Sequence, residues 1–396
     1  MPRFLSEFTR AGNKTGGVQS GGQHGGVYKD NNGNAYLIKR EEQNTHNIAE
    51  FLGSKVFGVT APGYGAEVQL VRVAEGTKLD ETGTGTYLAS KLFADYKDLY
   101  VDIYESMGQP VPRDRPKFVG DMLTRGLAKE GYAGFSETMV TSLLIGDRDT
   151  HWGNLGAVKA GNAKHLRRID FGWAFSDLAK PLDPERVYLP GMGPRNHFRE
   201  YPAHLKFNPE FTSELRRVAG IDLTKCLEES VRELEQCYGK RPLKEFAAYI
   251  GIKEGELKSS AVGDPIISKL QTVFKERQKE LIKIACEIDL GLCVDKKSHK
   301  PDKDKLKDFV SKNTQFCKEL VEGKKDYLAR IEKSFFREVL EWIGIYQDLH
   351  KVIAQELKTL IAGELALAGH KVNVGKASSK LLSDRKDVSR GRGISC

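Results

Sequence analysis

The stretch that most restricts the fold of this chain is GDRDTHWGNL at residues 146–155, followed by RRIDFG at residues 167–172. Met139, Val140, Leu143 and Leu144 fall on one helical face just upstream, so Ser136 to Ile145 predicts a helix that runs into an acidic loop. Leu155 to Val158 and Leu166 to Ile169 predict two short strands joined at Gly161-Asn162, a dipeptide suited to a tight hairpin. Such a hairpin holds Asn154 and Asp170 together at its open end, although sixteen positions separate them. Helix, loop and hairpin in this order predict an α+β chain.

The residues in that region suit phosphoryl transfer, which asks a protein for a phosphate cradle, cations against the developing charge, and a group that orients the acceptor hydroxyl. Asp149 precedes Asn154 by five positions, the spacing of a base and a metal-binding amide in a kinase catalytic loop, and Asp170 opens a literal Asp-Phe-Gly. Singly, Asp149 could be a helix cap, His151 a loop histidine and Asp-Phe-Gly a turn. Their conjunction, with an apolar helix before and a hairpin after, predicts an ATP- and Mg²⁺-dependent phosphotransferase, with Asn154 and Asp170 as metal ligands. Lys39, in the strand-like AYLIKR, suits contact with nucleotide phosphates, and Glu50 on the following helix is its candidate partner, with Glu41 and Glu42 as rivals. Gly21, Gly22, Gly25 and Gly26 precede that strand and would let backbone N–H groups approach phosphates. Phe93 falls where an adenine-contacting hinge is expected. Asp147, seven positions before Asn154, is a secondary catalytic candidate that could instead support the loop.

A length of 396 residues allows two or three folded units. The expected divisions are a first lobe at 1–95, a second at 96–208 carrying the catalytic loop, a mostly helical region at 209–370, and a basic, disordered tail at 371–396. With 39% hydrophobic and 29% charged residues, and no long apolar run, a membrane-spanning segment is not expected. The start lacks the apolar centre of a secretory signal, and the six cysteines are scattered at spacings that match no zinc module, so a reducing cytoplasmic setting and packing roles for the thiols are expected. The net charge of +8 favours anionic partners, and the motifs select nucleotide and acidic lipid, with no nucleic acid expected.

The D-x-H-x-x-N run at Asp149, His151 and Asn154, followed by Asp170, resembles the atypical kinases that include phosphoinositide 3- and 4-kinases, actin-fragmin kinase and HipA-type kinases. The phosphoinositide kinases carry D-R-H-x-x-N; Thr150 replaces the arginine here, leaving the bracing of the loop open, with Arg148 a candidate substitute. The resemblance covers roughly residues 15–200 and is strongest to the kinase portion of the Legionella effector phosphoinositide 3-kinases. It implies a two-lobed atypical protein/lipid-kinase-like fold followed by a mostly helical region. It also implies acceptor-orienting and general-base roles for Asp149 and His151, and transfer to an inositol hydroxyl, as in a phosphatidylinositol 3-kinase. Peripheral membrane contact, and secretion into a host cell to act on its membranes, belong to the same implication. The segment from Leu189 to Phe207, LPGMGPRNHFREYPAHLKF, interleaves aromatics with basic residues. Arg195, Arg199 and Lys206 in it suit an anionic headgroup at a phosphoinositide surface. A protein Ser/Thr kinase is the enzyme alternative and a membrane-binding pseudokinase scaffold the non-enzyme one.

Overall fold

The structure is a computed structural model. It describes residues 3–13, 24–73, 85–111, 131–147, 149–150, 153–176, 178, 182, 209–257, 262–295, 300–323 and 347–372. The chain divides into two compact units, Met1–Leu281 and Ile282–Cys396. The architecture is α+β, as the helix and hairpin patterns predict.

The first unit opens with a six-stranded sheet. Its strands are β1 (Arg3–Phe4), β2 (Phe8–Gly12), β3 (Gly26–Asp30), β4 (Ala35–Lys39), β5 (Val68–Arg72) and β6 (Thr86–Lys91), in the order β1-β5-β6-β4-β3-β2. The DNNGN turn between β3 and β4 forms because the Asp30 carboxylate accepts from the backbone N–H groups of Asn32 (3.0 Å) and Asn34 (2.9 Å), while Gly33 takes φ +81°. One sheet face packs Phe8, Tyr28, Tyr36, Ile38, Val71, Tyr87 and Ala89 into a core. Lys39, at the end of β4, is buried too, which an unpaired lysine would not be.

Helix α1 (Asn44–Thr60) connects β4 to β5. The Asn47 side chain ties its first turn to the Glu41 backbone by two hydrogen bonds, of 2.9 and 3.0 Å, and the helix stops two residues before Pro62. Seven consecutive residues, Ile48 to Ser54, are buried, and seven residues pass around a helix about twice. Over these residues α1 is therefore enclosed on every side rather than amphipathic, while Gly58 and Val59 in its last turn are exposed.

A short strand β7 (Lys97–Asp98) leads into α2 (Leu99–Ser106), and α3 (Phe135–Leu144) precedes the acidic loop. Strands β8 (Leu155–Ala160) and β9 (Ala163–Arg168) pair antiparallel from Leu155↔Arg168 to Ala160↔Ala163. Only Gly161 and Asn162 lie in the turn, with Gly161 at φ +61°, as a tight hairpin requires. The loop after α1 attaches to the free edge of β9: Arg168 N–H donates to the Tyr64 carbonyl at 2.7 Å and Ala66 N–H to the Arg168 carbonyl at 2.8 Å.

Helices α4 (Pro209–Ala219), α5 (Thr224–Cys237) and α6 (Lys240–Tyr249) follow, then α7 (Gly263–Leu292). α5 and α6 pack against α1, and α4 against α3. The buried Arg277 guanidinium on α7 donates to the Leu144 (2.9 Å) and Leu143 (3.0 Å) carbonyls, closing the end of α3 from which the acidic loop departs.

The second unit, which takes in the end of α7, adds α8 (Lys303–Lys312), α9 (Thr314–Val321) and α10 (Gln347–Leu367) around Leu306, Phe309, Cys317, Leu320, Ile361 and Leu365. Cys293 and Cys317 are buried thiols, and burial pushes both up to about 12, so neither supplies a thiolate near neutrality. Among the described residues, no helix is long and apolar enough to cross a membrane.

Gly53 on α1 lets that helix press on the Asp170-Phe171-Gly172 turn: a Cβ there would lie 2.9 Å from Phe171 Cβ and 3.3 Å from Ala174 Cβ. Glycine to alanine inside a helix ordinarily adds about 1 kcal/mol of stability. Gly53→Ala should do the reverse and lose about 1–3 kcal/mol by overpacking, measured by chemical denaturation. A neutral or stabilising outcome would mean that the contact yields freely.

Candidate active site

Strand β4 and helix α1 bring Lys39 and Glu50 together. Lys39 Nζ lies 2.8 Å from Glu50 Oε2 and 3.6 Å from Asp170 Oδ1, so one ammonium joins the sheet, the helix and the Asp-Phe-Gly turn. Lys39 and Glu50 are buried, whereas the Asp170 side chain is 45% exposed. The burial of Lys39 by itself would lower its pKa, but the Glu50 and Asp170 carboxylates outweigh it and hold the ammonium above its ordinary range. Burial pushes the Glu50 carboxyl up to about 7 against the pull of Lys39. The lysine stays charged, because two carboxylates face it.

Asp170 takes φ +61°, a conformation few residues other than glycine adopt, and its Oδ1 accepts from Gly172 N–H at 3.3 Å. Non-glycine residues at such angles carry strain of about 1–3 kcal/mol and cluster at functional sites. The turn is held by its neighbours. Phe171 is fully buried with its ring 4.8 Å from that of Phe57, and Phe175 N–H donates to the Ile145 carbonyl at 2.8 Å. From α6, Tyr249 O–H donates to the Ala174 carbonyl at 3.1 Å.

The loop after α3 is organised by a residue that the sequence reading passed over. Arg168, at the end of β9, is fully buried and pairs with Asp147 Oδ2 at 2.7 Å, both side chains being inaccessible. Its guanidinium also donates to the carbonyls of Asp149 (3.1 Å), Asn154 (3.2 Å) and Ile169. Asp147 Oδ1 accepts from Asp149 N–H at 2.9 Å, so both oxygens of Asp147 hold the loop. Burial raises the Asp147 carboxyl while Arg168 opposes that rise. The half-exposed Asp149 carboxylate accepts from Asn154 Nδ2 at 2.9 Å, and the same amide donates to the Asp149 carbonyl at 2.9 Å. The Asn154 amide oxygen is left as the atom able to meet a cation. Ile169 N–H donates to the Asn154 carbonyl at 3.0 Å, fastening this loop to the strand that ends at Asp170.

Lys39, Glu50 and Asp170 thus form one cluster and Asp149 with Asn154 an adjoining one. The position of Asp147 inside the arginine brace is that of a supporting group rather than a proton acceptor facing substrate. The Gly26 backbone approaches β2, a Cβ there falling 2.8 Å from the Gly12 carbonyl, and the Gly25 carbonyl accepts from Arg10 at 3.2 Å. Phe93 follows β6, its ring stacked on Tyr96 at 6.2 Å and beneath the Arg167 guanidinium at 5.7 Å. It lines a cavity of about 1150 Å³ whose wall includes none of Lys39, Glu50, Asn154 or Asp170. Gly21, Gly22, Arg148, His151, Arg195, Arg199 and Lys206 lie outside the described residues. The only signal for Arg168 was its place two residues before Asp170.

Residues 94–286, a stretch just short of half the chain, match the family described as the LepB N-terminal domain. No curated protein matches significantly. Among solved structures, the chain is similar to the Helicobacter pylori proinflammatory kinase CtkA, at 14% identity and a TM-score of 0.44 over 72% of this chain and 96% of that one. It is also similar to the N-terminal 618-residue fragment of LepB from Legionella pneumophila, at 12% identity and a TM-score of 0.44 over 91% of this chain and 79% of that one.

Removing one partner of a buried ion pair strands the other, at a typical cost of about 3–5 kcal/mol. Asp147→Ala should therefore show a loss of that order in denaturant unfolding, and an Asp147→Ala protein as stable as wild type would take Asp147 out of the brace. The Glu50 carboxyl gives a pH signature. Its folded pKa, about 7, stands above the ordinary 4.5, so the folded state takes up a proton as pH falls. Its contribution to stability is then fullest below about 4.5 and is lost as pH rises through about 7. The melting temperature of Glu50→Gln relative to wild type should accordingly be higher at pH 8 than at pH 5, and a difference independent of pH would contradict the raised carboxyl.

Proposed function

We propose that this chain is an ATP- and Mg²⁺-dependent phosphotransferase whose acceptor is a phosphoinositide headgroup. The observation that carries the reading is the placement of one buried lysine between a buried glutamate and an exposed aspartate, with an Asn-Asp pair fastened alongside. A charged lysine held by Glu50 suits the α- and β-phosphates of a nucleotide. The Asp170 carboxylate and the Asn154 amide oxygen are hard oxygen donors, and Mg²⁺ is commonly held by one or two such groups plus phosphate oxygens. When bound there, Mg²⁺ would neutralise charge on the transferring phosphoryl group. Asp149, fixed by Asn154 and by the Arg168 brace beneath it, would orient the acceptor hydroxyl, with His151 as the base that takes its proton.

The inositol acceptor rests on the sequence: the D-x-H-x-x-N pattern, and Arg195, Arg199 and Lys206 interleaved with aromatics after the Asp-Phe-Gly. Such residues add about 1 kcal/mol each near an anionic surface. Peripheral contact with a membrane, and action inside a host cell, follow from the same resemblance.

One assay separates the levels of this reading: labelled ATP and Mg²⁺ offered with a panel of phosphoinositide vesicles and, in parallel, a generic protein acceptor. Label on a phosphoinositide is the expected outcome; label on polypeptide alone would move the acceptor to protein. Asp170→Asn should remove nearly all turnover, and retention of more than about a tenth of the rate would end the metal assignment. Asp149→Ala should cut transfer by about 10²–10⁴-fold while nucleotide affinity stays close to wild type.

A further inference from the structure

Both Glu50 carboxylate oxygens on α1 and the Tyr238 phenol oxygen are among the buried polar atoms without a hydrogen-bond partner in the described residues; Oε2 is ion-paired with Lys39 at 2.8 Å, and Oε1 has no such ion pair. Tyr238 closes α5 and stands one residue before the glycine that precedes α6, so it is the junction of the two helices that cover α1. Its ring is fully buried. Its backbone is fixed from two sides: Tyr238 N–H donates to the Leu234 carbonyl at 2.8 Å, and the adjacent Cys237 carbonyl accepts from Thr86 Oγ1 on β6 at 2.8 Å. A buried hydroxyl and a buried carboxylate oxygen left unmatched are rare, and each costs about 1–3 kcal/mol.

We propose that Tyr238 is a positioning residue for Glu50, its O–H donating to Glu50 Oε1 directly after a small closure or through one buried water. This rests on the reading of Lys39 as a phosphate ligand, because the other Glu50 oxygen holds Lys39. The chemistry of the neighbours selects the pairing. The ionisable groups that act on the phenol are the Cys237 thiol, Arg40 and Glu50, and burial keeps the phenol protonated. A guanidinium only donates and a thiol accepts weakly, so Glu50 is the strong acceptor among them. A carboxylate held at one oxygen by an ammonium can still pivot, whereas one held at both oxygens cannot. Tyr238 would thus extend the nucleotide site into the helical region beyond the two sequence-predicted lobes.

The test uses the full chain as wild type, Tyr238→Phe, Glu50→Gln and the double variant. Tyr238→Phe keeps the ring that fills the core and removes only the O–H. Mg-ATP affinity measured by calorimetry should weaken about fivefold to tenfold for Tyr238→Phe in the wild-type background and less than about twofold in the Glu50→Gln background. A structural effect would weaken both backgrounds equally, and that result overturns the proposal. A second readout needs no nucleotide: in protein labelled at tyrosine ¹³Cζ, the Tyr238 signal, assigned by its loss in Tyr238→Phe, should move on Glu50→Gln. An unmoved signal also overturns the proposal. If wild type binds no Mg-ATP, the phosphotransferase reading fails, and the tyrosine signal alone then decides whether Tyr238 holds Glu50.

Discussion

The guanidinium of Arg168 is the interaction on which the site depends. A buried arginine needs acceptors within the protein for its N–H groups, because water cannot reach them and each unmatched donor costs about 1–3 kcal/mol. Here the two terminal nitrogens find them in the carboxylate of Asp147 and the carbonyls of Asp149, Asn154 and Ile169, which is to say the loop itself, while Nε has no partner among the described residues. The loop cannot relax to another path without stranding a charge. Because the Arg168 backbone also bonds both ways to the segment after α1, through Tyr64 and Ala66, the same residue ties the hairpin to the sheet-bearing part of the unit.

The second constraint is the enclosure of α1. Lys39 and Glu50 are withdrawn from water, so their attraction is weakly screened and each needs the other to remain tolerable in the interior. Packing supplies the rest: the glycine at position 53 lets the helix seat on Phe171, while α5 and α6 occupy the outer faces. The position of Glu50 is therefore set by the interior of the protein rather than by a surface helix free to swing.

Where the sequence used local rules, it could be read. The Gly161-Asn162 hairpin and the helix expected over Ser136 to Ile145 each depend on neighbours within a few residues, and both are found. The choice among Glu41, Glu42 and Glu50 could not be made from spacing, because which face of a helix meets a lysine depends on how the helix rolls on its sheet; the structure pairs Lys39 with Glu50. Arg168 was invisible for a related reason. In a strand, an arginine pointing inward and one pointing outward read alike, as the adjacent Arg167 illustrates by lying against the Tyr64 and Phe93 rings instead. Strands β1 and β2 are too short or too polar to announce themselves, and the covering of α1 by α5 and α6 joins residues more than a hundred and fifty positions apart, such as Lys55 and Cys226.

That covering bears on how such a chain can be inherited and divided. A helix buried around its circumference from Ile48 to Ser54 has no side fit for water there, so the first unit without residues 209–249 would expose Ile48, Phe51 and Leu52 in apolar surface of the kind that drives self-association. Helices α5 and α6 are therefore not an appendage that recombination could exchange for another. They and the sheet share one compact unit, and a gene rearrangement that parted them would leave α1 without its cover.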